Sequence, residues 1–317
     1  MRKAALLYNP DSGGSKQRLR ELQSAIAVLR DGGVEADLLP TESPHHAVEE
    51  TRSAINLGCD TIFACGGDGT IHTIVQVLAN TSTALGVLPI GTANALAHDL
   101  KIPMKVVAAA KMSLRSTLRR VALGRVAYAD VQGNPGSRYF VIAAGVGVDA
   151  HLFYKLHSGI KQRMGMAAYY AKAWHLWFSY PMTRFVAEYS ETGLDEVRQA
   201  EVTELMAIRI RNFGGVLQEL APGASLVRND MRVVFCRTAS RLAYLAYVTR
   251  GLLRLRVKIR GIDLAYSTKV ACRYRSNSGA PQDQRTIYVE ADGELLGTLP
   301  IEITVVPNAL TLLAPPR

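Results

Sequence analysis

Long unbroken apolar runs are missing from this chain. Nowhere does it hold an unbroken apolar stretch approaching the ~20 residues that span a bilayer, so any membrane contact is expected to be peripheral. The opening Met1-Arg2-Lys3, followed by Ala4–Tyr8 and Asn9-Pro10, is too short an apolar run for the ~7–15 residue core of a secretion signal, and a cytoplasmic protein is expected. Cysteine is scarce: Cys59, Cys65, Cys236 and Cys272 show no CxxC spacing, which argues against a zinc site or a disulfide framework and for reduced, packed thiols. There is no HExxH pair and no GxSxG elbow, so zinc-peptidase and serine-hydrolase chemistry find no support; the His45-His46 pair reads as an exposed helix start. Internal repeats and low-complexity tracts are also absent.

What is present suits a globular protein. Hydrophobic residues make up 48% and charged residues 20%, enough apolar surface to offset chain entropy. At 317 residues the chain exceeds the ~100–200 residues of a usual single core, so two domains are expected. The formal charge of +10 implies an anionic partner, and nucleic acid, anionic lipid headgroups and nucleotide phosphates all fit.

Residues 1 to about 124 alternate short apolar runs (Ala4–Tyr8, Val34–Leu39, Thr61–Cys65 and Leu85–Leu88) with segments long enough for helices, the pattern of a parallel α/β sheet covered on both faces. Ser43-Pro44 supplies an N-cap and a first-turn proline for a helix through about Leu57, and Gly58 ends it. From about Arg125 to about residue 305 the pattern becomes strand-rich: Val126–Val131, Tyr139–Ala144, Arg184–Tyr189, Glu204–Arg211, Met231–Cys236, Asp263–Tyr274, Thr286–Ala291 and Ile301–Val306. This half reads as an antiparallel β-sandwich with helical insertions, the main one spanning 165–180, where Tyr169, Tyr170, Trp174, Trp177 and Phe178 share an apolar face. The tail, about 306–317, is assigned back to the α/β domain.

The sharpest chemical signal is Cys65-Gly66-Gly67-Asp68-Gly69-Thr70, after the third candidate strand and before a helix beginning near Ile71. Glycines there let backbone amides approach an anion, and a helix N-terminus adds roughly half a positive charge, the general recipe for a phosphate cradle. It is neither a Walker A loop nor a GxGxxG fingerprint. Asp68 beside phosphates calls for an intervening Mg²⁺ or a hydrogen bond to a hydroxyl. Two further loops stand at the carboxyl ends of candidate parallel strands, where open α/β sheets bind ligands: Asn9-Pro10-Asp11-Ser12-Gly13-Gly14 and Pro89-Ile90-Gly91-Thr92-Ala93-Asn94. A competing G-x-G-x-x-A run, Gly145–Ala150, lacks the acidic residue about twenty positions on that a dinucleotide fold requires.

Taken together, NP-x-S-G-G, GGDGT and P-x-GT-x-N resemble the diacylglycerol kinase catalytic-domain family of bacterial lipid kinases, related to sphingosine and ceramide kinases. The resemblance implies an α/β nucleotide-binding domain of NAD kinase-like fold plus a β-sandwich, with the active site in the cleft between them. It places ATP on Asn9, Pro10, Asp11, Ser12, Gly13, Thr41, Gly66, Gly67, Asp68, Gly69, Thr70, Ile71, His72, Thr92 and Asn94, with Asp68 toward Mg²⁺. It makes Asp292, in Tyr288-Val289-Glu290-Ala291-Asp292-Gly293-Glu294, the catalytic base, with Glu294 as a helper; without the family, Asp-Gly between two strands is an ordinary hairpin turn. The family's second, structural Mg²⁺ maps to Val227, Asp230 and Arg232, where Met231 replaces the family's glycine and Arg232 brings a positive charge toward the ion.

The implied activity is ATP- and Mg²⁺-dependent phosphorylation of a membrane-lipid hydroxyl. The implied partners are the lipid substrate and an anionic membrane surface; no nucleic acid is expected, and a homodimer is left open. The basic, apolar segment Arg241–Arg260 (Arg241, Arg250, Arg254, Arg256, Lys258, Arg260), with Lys155, Lys161 and Arg163, is the candidate docking surface. The alternatives are a soluble nucleotide kinase of the NAD kinase type, which shares GGDGT, and a nucleotide- or nucleic-acid-binding protein without turnover.

Overall fold

The computed structural model describes residues 1–10, 16–130, 132–147, 182–194, 196–214, 220–253, 255, 257–275 and 286–316. It divides into two units: Met1–Leu123 with Asn212–Leu217 and Val306–Arg317, and Gly124–Arg211 with Gln218–Val305. Asp11, Ser12, Gly13, the aromatic segment 165–180, Lys155, Lys161, Arg163, Arg254 and Arg256 lie outside the described residues.

The first unit alternates strand and helix: β1 (Lys3–Tyr8), α1 (Lys16–Asp31), β2 (Glu35–Pro40), α2 (Pro44–Asn56), β3 (Thr61–Gly66), α3 (Asp68–Leu78), β4 (Ala84–Pro89), α4 (Ala95–Asp99) and α5 (Val106–Ser113). The strands lie in the order β2-β1-β3-β4, all parallel. Every residue of β3 and β4 is buried, because helices pair up over the sheet, α1 with α5 and α2 with α3. That burial is why these strands read as uninterrupted apolar runs. Ser43 caps α2, its hydroxyl accepting the His46 N–H at 3.1 Å, and Gly58 takes the left-handed conformation that ends it (φ +86). Helix α3 starts at Asp68, three residues before the Ile71 the sequence suggested, because Gly67 serves as N-cap and its carbonyl accepts the N–H groups of Thr70 and Ile71.

The second unit is antiparallel. It contains the end of β5 (Thr117–Ala129), then β6 (Pro135–Phe140), β7 (Ala143–Gly147), β8 (Phe185–Ser190), β9 (Val197–Val202), β10 (Glu204–Ile208), β11 (Met231–Cys236), a helix α6 (Arg241–Leu252), β12 (Ile262–Ser267), β13 (Lys269–Tyr274), β14 (Tyr288–Ala291) and most of β15 (Glu294–Ala314). One run pairs as β12-β11-β10-β7-β14-β15 and a second as β15-β13-β8-β9. The Tyr189 ring on β8 meets the Phe235 ring on β11 with centroids 4.4 Å apart, so the runs pack face to face over a shared core that includes Phe140, Phe185, Leu205, Met231, Val270 and Ile303. The final stretch of β15, through Thr311 and Leu312, pairs parallel with β4 in the first unit's sheet.

Several strand boundaries differ from the sequence expectation: β5 begins at Thr117 rather than Val126, and β15 runs Glu294–Ala314 rather than Ile301–Val306. Tyr139–Ala144 is two strands, β6 and β7, because the chain bends at Val141 and Ile142. Asp263–Tyr274 is also two, broken at Thr268, where the Ser267 hydroxyl bonds the Ser190 and Lys269 carbonyls at 2.8 and 2.7 Å. Glu204–Arg211 stops at Ile208, after which Arg209 turns its side chain fully inward. The polar strand β9 (VRQAEV) and helix α6 gave no clear period in the sequence, since only one edge of each is buried.

Gly124 pairs across strands with Phe140, and a Cβ built on it would stand 2.0 Å from the Phe140 ring. Phe140 is wholly buried and has no room to withdraw. Gly124→Val is expected to lower stability by at least about 1–3 kcal/mol, the usual overpacking range, read as a lower midpoint in urea unfolding with an unchanged slope.

Candidate active site

Two glycine turns at the carboxyl edge of the parallel sheet are locked together. The turn after β3 (Gly66–Thr70) and the turn after β4 (Ile90–Asn94) pass so closely that a Cβ on Gly91 would stand 2.4 Å from the Gly67 Cα, and one on Gly66 would stand 2.2 Å from the Thr70 hydroxyl. Ile90 donates its N–H to the Gly66 carbonyl at 3.2 Å. Asn94, in the left-handed region (φ 49), closes its own loop: its Oδ1 accepts the Gly91 N–H at 3.0 Å and its Nδ2 donates to the Gly91 carbonyl at 2.9 Å. The Asp68 carboxylate spans the two turns, accepting the N–H groups of Ala95 (3.2 Å) and Leu96 (3.4 Å). The glycines thus serve backbone proximity, and the first-turn amides of α3 stand at the positive end of its dipole.

Around this pair the structure sorts the remaining candidates. Thr41 is buried, and both its N–H and its hydroxyl donate to the Tyr8 carbonyl (2.8 and 3.1 Å), tying the loop after β2 to the end of β1. Asn9 follows β1 and is half-buried, while Pro10 is exposed. Gly69 and Thr92 are exposed. Ile71 and His72 are buried on α3, so their contribution to a ligand would be through the main chain. The Cys65 thiol, just before the turn, is pushed well above the ordinary thiol range by complete burial, which leaves it unreactive. All four cysteines are free and buried.

In the second unit, Asp292 and Gly293 form the two-residue turn between β14 and β15, both with positive φ (49 and 87), the type I′ geometry that Asp-Gly favours. The turn does more than reverse the chain. Asp292 Oδ2 accepts the Val141 N–H at 2.9 Å, and Oδ1 accepts those of Ile142 (2.9 Å) and Ala143 (3.0 Å), while the Asp292 N–H donates to the Ala143 carbonyl at 2.8 Å. These bonds draw the 141–143 amides out of the strand ladder and account for the bend between β6 and β7. Glu294 is half-buried beside the turn. The sequence reading passed over Glu290, which is buried and accepts the Gly293 N–H at 2.8 Å; a glutamate two residues before a hairpin aspartate was its only signal.

The third predicted group does not fit a divalent cation. Asp230 is buried, and both its oxygens are taken by the Arg228 guanidinium (2.6 and 2.7 Å). Arg209 donates to the carbonyls of Arg228 (3.0 Å), Leu226 (3.4 Å) and Asp230. Val227 is exposed, and the Arg232 guanidinium lies 4.2 Å from the Tyr266 ring centre. Neither Arg209 nor Arg228 was singled out from sequence. Asp68, by contrast, suits the usual mode of Mg²⁺, one carboxylate plus substrate phosphates. Among the described residues no group of three or more His, Cys, Asp or Glu side chains gathers to form an all-protein metal site.

Residues 3–126 match the diacylglycerol kinase catalytic domain. The chain is 28% identical to a diacylglycerol kinase of Bacillus subtilis (strain 168) over 255 residues, covering 80% of this chain and 79% of that one. It is 30% identical to a diacylglycerol kinase of Staphylococcus aureus (strain MRSA252) over 177 residues, covering 55% and 53%. In fold it is similar to a crystal structure of a diacylglycerol kinase from Bacillus anthracis str. Sterne (TM-score 0.69, 17% identity, 99% of this chain and 97% of that chain). It is also similar to yeast NADH kinase complexed with NADH (TM-score 0.52, 10% identity, 100% and 84%). The first unit and its interlocked glycine turns are those of a phosphotransferase with a NAD kinase-like α/β domain. Residues 3–126 carry the diacylglycerol kinase catalytic domain, and the chain is a lipid kinase similar to the diacylglycerol kinases.

Asp292→Ala would remove the acceptor of three partly buried amides and place an ordinary residue at φ 49. A loss of about 2–3 kcal/mol is expected, against a smaller loss for Asp292→Asn, which tolerates the left-handed region and keeps one acceptor oxygen. Denaturant titration of the two variants side by side checks the order.

Proposed function

We propose that the protein transfers the γ-phosphate of ATP to a hydroxyl of a membrane lipid such as diacylglycerol. The observation that carries this reading is the interlocked pair of glycine turns at Gly67 and Gly91, inside the segment that matches the kinase catalytic domain. A side chain on Gly91 would force the two turns apart. Asn9, Gly66–Thr70, Thr92 and the main chain at Ile71 and His72 are assigned to the nucleotide, with Thr41 and Asn94 shaping the loops. Asp68 is assigned to Mg²⁺, which when bound neutralises phosphate charge as phosphoryl transfer requires.

In the proposed step the lipid hydroxyl oxygen forms a bond to the γ-phosphorus, the bond from that phosphorus to the β–γ bridging oxygen breaks, ADP leaves, and the hydroxyl proton passes to the Asp292 carboxylate. Holding that carboxylate on three amides fixes its direction, which suits a reaction in which the protein mainly positions groups and one residue accepts a proton.

The lipid surface is assigned to α6 and the segment after it. Leu242, Leu253, Leu255 and Val257 are each at least half exposed, and a groove of about 410 Å³ runs between Leu242, Leu245, Ala246 and Leu255, Val257, Ile259, with Arg250 at its edge. Apolar side chains flanked by Arg241, Arg250, Lys258 and Arg260 suit an anionic leaflet, each cation contributing about 1 kcal/mol near the surface. No helix among the described residues is long and apolar enough to cross a membrane.

Incubation with labelled ATP, Mg²⁺ and a fractionated bacterial lipid extract, with mass spectrometry of the labelled product, tests the activity; labelled NADP from added NAD instead would favour the soluble nucleotide kinase. Asp292→Asn is expected to lower kcat by about 10²–10⁴-fold with nucleotide affinity unchanged. For the surface, Leu242→Ser combined with Arg254→Glu and Arg256→Glu is expected to abolish sedimentation with phosphatidylglycerol vesicles; unchanged sedimentation would discard the assignment.

A further inference from the structure

The loop entering β11 is closed by cations belonging to the chain itself. Arg209, the residue after β10, is wholly buried and reaches into the loop, where its Nη1 serves the Arg228 and Asp230 carbonyls and its Nη2 the Leu226 carbonyl. From the loop side, Arg228 grips both oxygens of the buried Asp230 through Nε and Nη2, the parallel two-bond geometry in which guanidinium and carboxylate match best. The Arg228 guanidinium also covers the Tyr266 ring at 4.0 Å from its centre, and the Tyr266 hydroxyl donates to the Gly223 carbonyl at 3.2 Å. One carboxylate and carbonyls of one loop are the ligand set a hard divalent ion takes; here the same oxygens face N–H donors.

We propose that Arg209 and Arg228 stand in place of a divalent ion, so that the loop 220–230 and the strand it enters hold their structure without bound metal. Charge decides between the two. Asp230 lies between two guanidiniums, and Arg232 adds a third against Tyr266, so the pocket is already net positive and repels a dication. A guanidinium keeps its charge at neutral pH. A guanidinium is also less strongly hydrated than a small cation and tolerates enclosure better. The exchange of ion for guanidinium bears on the second unit's own stability and is independent of which acceptor is phosphorylated.

Thermal unfolding of nucleotide-free protein, after dialysis against EDTA and with millimolar Mg²⁺ or Ca²⁺ restored, tests it. Wild-type Tm is expected to move by less than about 1 °C. A rise of about 5 °C or more, as an ion at a hundred times its Kd would give, that disappears in Asp230→Asn would overturn the proposal. Arg228→Gly is expected to unfold earlier in EDTA and to recover part of that loss with Mg²⁺; an unchanged Tm would count against it. Should Arg228→Gly fail to fold, the metal content of dialysed wild-type protein decides the question: well below one ion per chain is expected, and one retained ion per chain refutes the substitution.

Discussion

A carboxylate that accepts main-chain amides from a segment distant in sequence is the interaction on which this structure depends. Asp68 takes the Ala95 and Leu96 amides, Asp292 takes those of residues 141–143, and Asp99 takes that of Asn212 at 2.9 Å. In each case a loop or bend that would otherwise leave N–H groups short of a partner is satisfied by a single side chain, and an unsatisfied amide in a partly buried setting costs about 1–3 kcal/mol. The loops are therefore as well determined as the strands they join. Loops built on such anchors are stiff, which suits chemistry that relies on position.

The same economy explains how two candidate functional aspartates carry structural duty. Asp68 cannot leave its turn without loosening the start of α4, and Asp292 cannot leave its turn without freeing the bend between β6 and β7. Substitutions at either residue will mix local folding with chemistry, and a comparison of Asn with Ala separates them because Asn keeps part of the acceptor geometry. Asp230 follows a different logic. Its partner is an arginine two residues before it in the same loop, so its charge is satisfied locally and its site is closed to cationic ligands.

The parallel strands of the first unit were legible because burial on both faces leaves apolar runs with no competing reading, and Ser43, Pro44 and Gly58 mark the ends of α2 by chemistry that acts within a few residues. The glycine turns were legible for a related reason: Gly66, Gly67 and Gly91 are needed where a Cβ would collide, and glycine at such points is a local signature. The second unit was less so. The bend at Val141 and the break at Thr268 are produced by partners far along the chain or across the sheet, Asp292 and Ser190, and no window of neighbouring residues contains them. Helix α6 gave no clear period because only one edge of it is buried and its exposed side carries the apolar Leu242, with Leu253 following the helix in solvent.

The order of elements, the covered parallel sheet and the glycine turns came from residue types and their spacing, because each rests on sterics and periodicity within one element. The fate of the charged groups did not. Whether Arg209 would point to solvent or into the core, and which amides Asp292 would hold, were decided only when the sheet brought residues tens or hundreds of positions apart into hydrogen-bonding distance, and whether Asp230 would meet a metal or Arg228 depended on how its own loop folded. Electrostatic partnership depends on the arrangement of charges in space and on what burial does to each of them, and neither is a property of neighbouring letters in a chain.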